Sequence, residues 1–328
     1  MILMDLFHQL ETPAGGRDTL SAMPIPGAPS SRIAKDSDGY PVLLFALTSS
    51  RAGLRLKSYR LKYLGLIHNV KCTVREAGKE AEDTFTLVRF TSLVPQMQSY
   101  FIHYAESLVQ IVEANPTLEQ FADALQSLVD IFSMLDQAPV KSVQGLWAEL
   151  FMINKGQDSK TLLSFWHARP EEKFDFNSGT EKIEVKSSSS LERVHYFSSD
   201  QLNPSTGSRA LIASILVRQS SDGWSTQQLI NSIAAKAEGD LSLISKLNLI
   251  IVRTLGTSLE GSIDITFDYA MANESIQLYS TDDIPKISDA HIPKGVTEVR
   301  FKSSLKPAKA IDISVFPGKG RLFGAMMA

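Results

Sequence analysis

Between residues 42 and 91 apolar residues recur at every second position, in "VLLFALT", "LRLKSYRLKYLGL", "VKCTVR" and "TFTLVRF". Period two with Gly or charged residues between the runs predicts a small, mostly antiparallel sheet. At Pro95 the spacing changes: "QMQSYFIHYAESLVQIVEAN" and "TLEQFADALQSLVDIFSML" carry apolar residues at helical intervals. Asn115-Pro116 between them supplies an N-cap and a proline for the first helical position, so a helical hairpin is expected. Residues 1 to 40, with a short amphipathic start followed by "TPAGG" and "MPIPGAPSS", read as a leader with little structure of its own.

A third helix is predicted over 142–156, "SVQGLWAELFMINKG", ending near Gly156. Three short strands are expected after it, "TLLSFWHA", "EKFDFN" and "EKIEVKSS", and then "ERVHYFS" and the polar turn "NPSTGS". The apolar strand "ALIASILVRQ", the helix "STQQLINSIAAKA" and a buried strand "LNLIIVRTL" follow, with a smaller C-terminal sheet from "IDITFDYAM", "ESIQLYS" and "TEVRFKSSL".

Composition narrows the class. The 328 residues are 43% hydrophobic and 21% charged, ordinary for a globular chain, which excludes disordered and collagen-like proteins. Cys72 is the only cysteine, so neither an internal disulfide nor a cysteine-built metal cage is available, which suits the reducing cytoplasm. No apolar run approaches the roughly 20 residues of a membrane span, and no export signal is expected.

A formal net charge of −3 argues against a generally basic coat. The charge is uneven, however: Arg51, Arg55, Lys57, Arg60, Lys62, Lys71 and Arg75 form a run with no acidic residue, interleaved with Tyr59, Tyr63 and His68. Such a run neutralises phosphates locally, or is one solvated face of a strand pair. In "LRLKSYRLKY", Arg55 and Lys57 would share a strand face, and Arg60 and Lys62 extend it only if the strand passes Ser58 without a turn.

The chemistry concentrates in "KFDFNSGTEKIEVKSSS", residues 173 to 189. With residues 178 and 179 at the centre of a turn, position 175 sits across from 182, and Asp175 shares a face with Glu184 and Lys186. Phe174, Phe176, Ile183 and Val185 take the other, core-facing side. Two converging carboxylates favour a hard divalent cation, and a lysine beside them suits charge developing on a phosphate. A solvated amphipathic hairpin gives the same local pattern. Glu149 separates the readings, because it interrupts the apolar helix "LWAELFMI", where a surface acid is less expected.

The order helix, strand, strand with Asp, strand with Glu-x-Lys resembles the PD-(D/E)XK nuclease superfamily over roughly residues 142 to 255. Asp175 matches the motif's Asp, Glu184-Val185-Lys186 its (D/E)xK, and Glu149 its helical acid, whereas Lys173 and Phe174 stand where the leading Pro would be. "GLWAELF", "EVKSS", "RVHYFSSDQL" and the late "HIPKGVTEVRF" are similar to a bacterial family bearing this motif, often encoded beside DNA methyltransferases and ATPases in phage-defence clusters.

The resemblance implies an α/β restriction-endonuclease-like core at 141–255, with an N-terminal α+β domain at 1–140 and a β-rich C-terminal extension at 256–328. It implies Mg²⁺- or Mn²⁺-dependent cleavage of DNA, with Asp175, Glu184 and Glu149 on the metal and Lys186 beside the attacking water. The alternative is a non-catalytic DNA-binding or assembly subunit. Arg193, His195 and Gln201 would line a DNA groove or be ordinary surface polarity. One site per chain implies a homodimer, or a complex with methyltransferase or ATPase subunits, for double-strand cutting. No P-loop, serine nucleophile elbow or histidine metal spacing is present, and Asp264 and Asp268 in "SIDITFDYA" read as structural.

Overall fold

The computed structural model describes residues 2–14, 19–46, 57–76, 79–113, 118–167 and 172–326. It divides into two compact units, Met1–Ala138 and Pro139–Ala328. Among the described residues no helix is long and apolar enough to cross a membrane.

The first unit begins with α1 (Ile2–Gln9) and six strands, β1 (Thr19–Ile25), β2 (Ala28–Asp36), β3 (Pro41–Ala46), β4 (Tyr59–Arg60), β5 (Leu64–Glu76) and β6 (Lys79–Phe90). Two helices follow, α2 (Pro95–Glu113) and α3 (Leu118–Ser133). The strand order is β1-β2-β3-β6-β5-β4, and a parallel pairing of β1 with β5 closes the sheet on itself. The stretch expected to be a leader therefore supplies two strands. Pro26-Gly27 is the turn of their hairpin, with Gly27 at φ 76°.

β3 is apolar on both faces because both are covered. Val42 and Leu44 join Leu20, Cys72 and Phe85 in one buried cluster, while Phe45, on the other face, meets Phe121 of α3 edge-on at 6.2 Å. The expected sheet and helical hairpin are both present. Residues 47–56, including Arg51 and Arg55, and the Asn115-Pro116 turn lie outside the described residues. β4 is only two residues long and Lys62 falls in the turn after it, so no continuous strand carries Arg60 and Lys62 in one stripe.

The second unit opens with α4 (Val143–Lys155), capped by Ser142, whose hydroxyl accepts from the Gly145 N–H, and closed at Gly156. Leu146 to Asn154 are all buried, so this helix is enclosed on every side rather than lying on a surface. Next come α5 (Ser159–Phe165), β7 (Phe176–Asn177), β8 (Glu181–Ser188), β9 (Val194–Ser198), α6 (Ser199–Leu202), β10 (Arg209–Leu216) and β11 (Gln219–Ser225). α7 (Thr226–Lys236), α8 (Leu241–Leu255), α9 (Leu259–Ser262), β12 (Thr266–Phe267), α10 (Tyr269–Ser275), β13 (Gln277–Ser280), β14 (Arg300–Ser304), β15 (Ala310–Ile311) and α11 (Arg321–Gly324) complete it.

The central sheet runs β15-β13-β10-β8-β7, parallel only between β8 and β10. With helices packed against it, the unit has the mixed α/β architecture of a restriction-endonuclease-like core. Residues 256–328, expected as an extension, contribute β13 and β15 to that sheet. β14 instead pairs with β9 in a separate two-stranded ribbon. Asp268 is not on a strand; it caps α10 by accepting from the Met271 N–H.

Two segments expected as strands are helices. "TLLSFWHA" falls largely in α5, because the Asp158 carboxylate accepts from the Thr161 N–H and the Thr161 hydroxyl and starts a helical turn. "LNLIIVRTL" is the C-terminal part of α8. Asp240 caps that helix, and Leu247, Ile250, Ile251 and Leu255, buried at helical spacing, form its inner face.

Candidate active site

Glu149 and Asp175 meet inside the second unit, Glu149 carried by α4 and Asp175 by the bend entering β7, and both side chains are buried. The hairpin register is Phe176 opposite Ile183 and Asn177 opposite Lys182, with Gly179 at φ 90° in the turn. Extended by one residue, it sets position 175 against 184. This is two residues from the pairing the sequence suggested, and a shift of two leaves every side chain on its expected face. Phe174, Phe176, Ile183 and Val185 are buried in the core as expected.

Each carboxylate is held in place. Asp175 Oδ2 accepts the Val185 N–H at 2.8 Å, and the Asp175 carbonyl accepts the His167 N–H at 2.8 Å. Glu149 Oε2 accepts the Trp166 indole N–H at 2.8 Å. The Lys186 ammonium donates to Glu184 Oε1 at 2.6 Å and to Gln201 Oε1 at 3.2 Å. Gln201 also closes the capping box of α6 with Ser198 and donates to the Lys173 carbonyl, so it is built into the wall of the site.

Two residues that pattern reading missed complete the cluster. The Lys141 ammonium donates to Glu149 Oε1 at 2.6 Å and to Asp175 Oδ1 at 2.5 Å. His167 Nδ1 lies 3.7 Å from Asp175 Oδ1, is buried, and has no hydrogen-bond partner among the described residues. The ligand atoms of Glu149, His167 and Asp175 all lie within 4.8 Å of one another. A cavity of about 130 Å³ opens on this group, with Asp175, Glu184, His167 and Lys141 in its wall beside Glu172, Lys173 and Gln201.

The electrostatics follow from burial and neighbours. Burial, then the Asp175 charge, pushes Glu149 up to about 8 against the pull of Lys141. Burial and Asp175 likewise push Glu184 up to about 7, opposed by Lys186. For Asp175 burial acts upward, but Lys141 and the Val185 N–H outweigh it and hold the carboxyl below its ordinary value. Burial, with Lys141 nearby, lowers His167 to about 4 and keeps its imidazole neutral. Three carboxyls thus share two ammonium groups, and two of the three are poised to exchange a proton near neutrality.

The donor set suits a divalent cation. It combines one carboxylate oxygen each from Glu149 and Asp175 with one neutral imidazole nitrogen that has no hydrogen-bond partner among the described residues, around a point already occupied by a positive charge, while Glu184 lies outside this group of three on the wall of the same cavity. Glu149, Asp175 and Glu184 are the expected ligands. His167 gave no sequence signal, because it stands alone without histidine spacing, and Lys141 lies just before the cap of α4, outside any periodic segment.

The remaining candidate residues are placed differently. Arg193 is half-buried and donates to the Ser214 carbonyl and hydroxyl, at 2.7 and 2.9 Å, and to the Ser275 carbonyl. His195 is buried against the Ser214 hydroxyl at 2.9 Å. The outward face of the β9–β14 ribbon carries other groups: Tyr196 is 70% exposed with the Lys302 ammonium 5.6 Å from its ring centre, and Arg300 is exposed beside it. The signal for these was available, since Lys294, Arg300, Lys302, Lys306 and Lys309 stand against the single acid Glu298 over 294–309. In the first unit Lys57 and Arg60 are exposed, and Lys57 and Lys62 lie over the rings of Tyr59 and Tyr63 at 5.0 and 4.4 Å. Lys71 is paired with Glu82.

No curated protein and no solved structure matches the chain. A family model described as "Putative PD-(D/E)XK family member, (DUF4420)" matches residues 3–306, and with that span and this site the chain belongs to that family.

Proposed function

We propose that the protein is a metal-dependent DNA phosphodiester hydrolase. The observation that carries this reading is the convergence of Asp175, Glu184 and His167 on one cavity, with Glu149 grouped beside Asp175 and His167 and with Lys186 paired to Glu184. A divalent ion such as Mg²⁺ or Mn²⁺, held by Asp175, Glu149 and Glu184 with His167 as a further donor, would activate water and offset charge on the scissile phosphate. Lys186, held by Glu184 and Gln201, would stabilise the negative charge that builds on the phosphate oxygens. The exposed cations of the β9–β14 ribbon and of Lys57, Arg60 and Lys62 would hold the DNA backbone.

The sequence resemblance supports a cytoplasmic restriction or phage-defence nuclease subunit, working as a homodimer or with methyltransferase or ATPase subunits. Full-length protein should cut plasmid DNA with Mg²⁺ or Mn²⁺ and stop with chelator, and Lys186→Ala should slow cutting by about 10²–10³-fold. Equal cutting by the wild type and an Asp175→Ala, Lys186→Ala double variant would overturn the assignment. One observation favours a second reading, a non-catalytic DNA-binding or assembly subunit: Lys141 fills the space between Glu149 and Asp175. Metal-independent DNA binding without cutting would select it.

A further inference from the structure

We propose that Lys141 holds the place of the divalent cation, bridging Glu149 and Asp175 until the ion displaces it, so that metal loading is a cation exchange rather than the filling of an open site. This rests on the metal-dependent reading above.

The geometry distinguishes an exchangeable counter-ion from a structural ion pair. Lys141 Nζ is 2.6 Å from one buried carboxylate and 2.5 Å from the other, so it stands where a cation shared by those two ligands has to be. The third donor of the cluster, His167 Nδ1, is buried without a hydrogen-bond partner among the described residues. A neutral imidazole nitrogen left unpartnered beside two satisfied carboxylates is a cost that a structural ion pair would not need to carry. A metal ion satisfies all three donors at once.

The lysine is also placed to leave. It lies outside any helix or strand, immediately before the Ser142 cap, and its side chain is 31% exposed, against 4% and 6% for its two partners. The carboxylates are fixed by the Trp166 indole and the Val185 N–H, whereas among the described residues Lys141 is held through its ammonium and through the neighbouring Val140 N–H to the Thr254 carbonyl. Swinging the ammonium outward leaves the acid pair in position and brings a positive charge to the mouth of the cavity, where a phosphate would approach.

The exchange is tested by metal binding, independently of cleavage. Mn²⁺ is titrated into the full chain in the absence of DNA, with free Mn²⁺ read by electron paramagnetic resonance, for wild type, Lys141→Met and Asp175→Asn. Lys141→Met keeps an unbranched side chain that is one atom shorter and removes the competing charge. It should bind Mn²⁺ at least about tenfold more tightly than wild type, the equivalent of about 1.4 kcal/mol of competition removed, and Asp175→Asn should abolish the gain when combined with it. Equal or weaker binding by Lys141→Met, or no binding by either protein, overturns the proposal.

A second measurement uses wild type alone, so it stands even if the variant does not fold. Acylation of Lys141 by a mild amine reagent, followed by mass spectrometry, should accelerate when Mn²⁺ is added, and an unchanged rate overturns the exchange. Tight metal binding with the predicted Lys141 effects but no DNA cutting would defeat the nuclease reading and leave the exchange standing.

Discussion

Replacing Glu184 by Gln should flatten the pH dependence of stability while removing the proposed activity. The carboxyl is buried beside Asp175, and its pKa rises from 4.5 to about 7. In the unfolded chain it ionises near its ordinary value, so between those two pH values the unfolded state gives up a proton that the folded state keeps. The contribution to stability is therefore fully present below about pH 4.5 and is lost as pH rises toward 7, at up to about 1.4 kcal/mol per pH unit. The loss accumulates to about 3 kcal/mol above pH 7. Glutamine has the same shape and does not titrate. It leaves Lys186 with amide oxygens, its own and that of Gln201, in place of a carboxylate, which adds an offset but no slope over this window. Urea unfolding in the presence of chelator, at several values from about pH 5 to about pH 8, should show the variant gaining about 2.5 kcal/mol relative to wild type across the series, the rest of the loss falling below pH 5. A residual slope should remain from Glu149, which is raised to about 8 by burial and Asp175. Parallel curves for the two proteins would refute the claim that Glu184 is held near neutrality by its surroundings.

Glu181→Ala should cost about 3 kcal/mol or more in urea unfolding without changing Mn²⁺ affinity. Its buried carboxylate accepts the N–H groups of Gly320, Leu322 and Phe323 at 2.5, 3.0 and 3.0 Å, and a hydrogen bond to a charged group is worth roughly 1.5–3 kcal/mol. Equal stability would show that this C-terminal anchor contributes little. Arg300→Ala with Lys302→Ala should weaken binding to all DNA sequences alike and lower the log–log salt slope by about 0.9 per lost contact. A Lys57→Ala, Arg60→Ala pair measured beside it, with the slope lowered in that pair alone, would move the DNA contact to the first unit.

How much of this was legible depends on how far apart in sequence the interacting groups lie. The hairpin was legible because its faces depend on parity rather than on the turn itself. The turn was misplaced, yet Asp175, Glu184 and Lys186 kept a common face, since only an odd slip would have turned Asp175 away. Glu149 was legible as a charge within an otherwise apolar helix, and the structure shows why that charge is tolerated: Lys141 and the Trp166 indole satisfy it. α5 and α8 were misread because a short apolar run has no period of its own, and the evidence for helix lay in the caps, Asp158 and Asp240, at their starts. The rest depends on tertiary contact. Lys141 reaches an acid 34 positions away and Glu181 reaches backbone 139 positions away, and no local spacing encodes either meeting. The residues that carry the motif are thus the ones that share a hairpin face or interrupt a helical pattern. Those that set the charge of the site, Lys141 and His167, enter from irregular segments. If the exchange proposal holds, the family motif by itself identifies the ligands of the ion but not the group that competes with it, and metal affinity would vary among chains with the same motif according to a residue outside it.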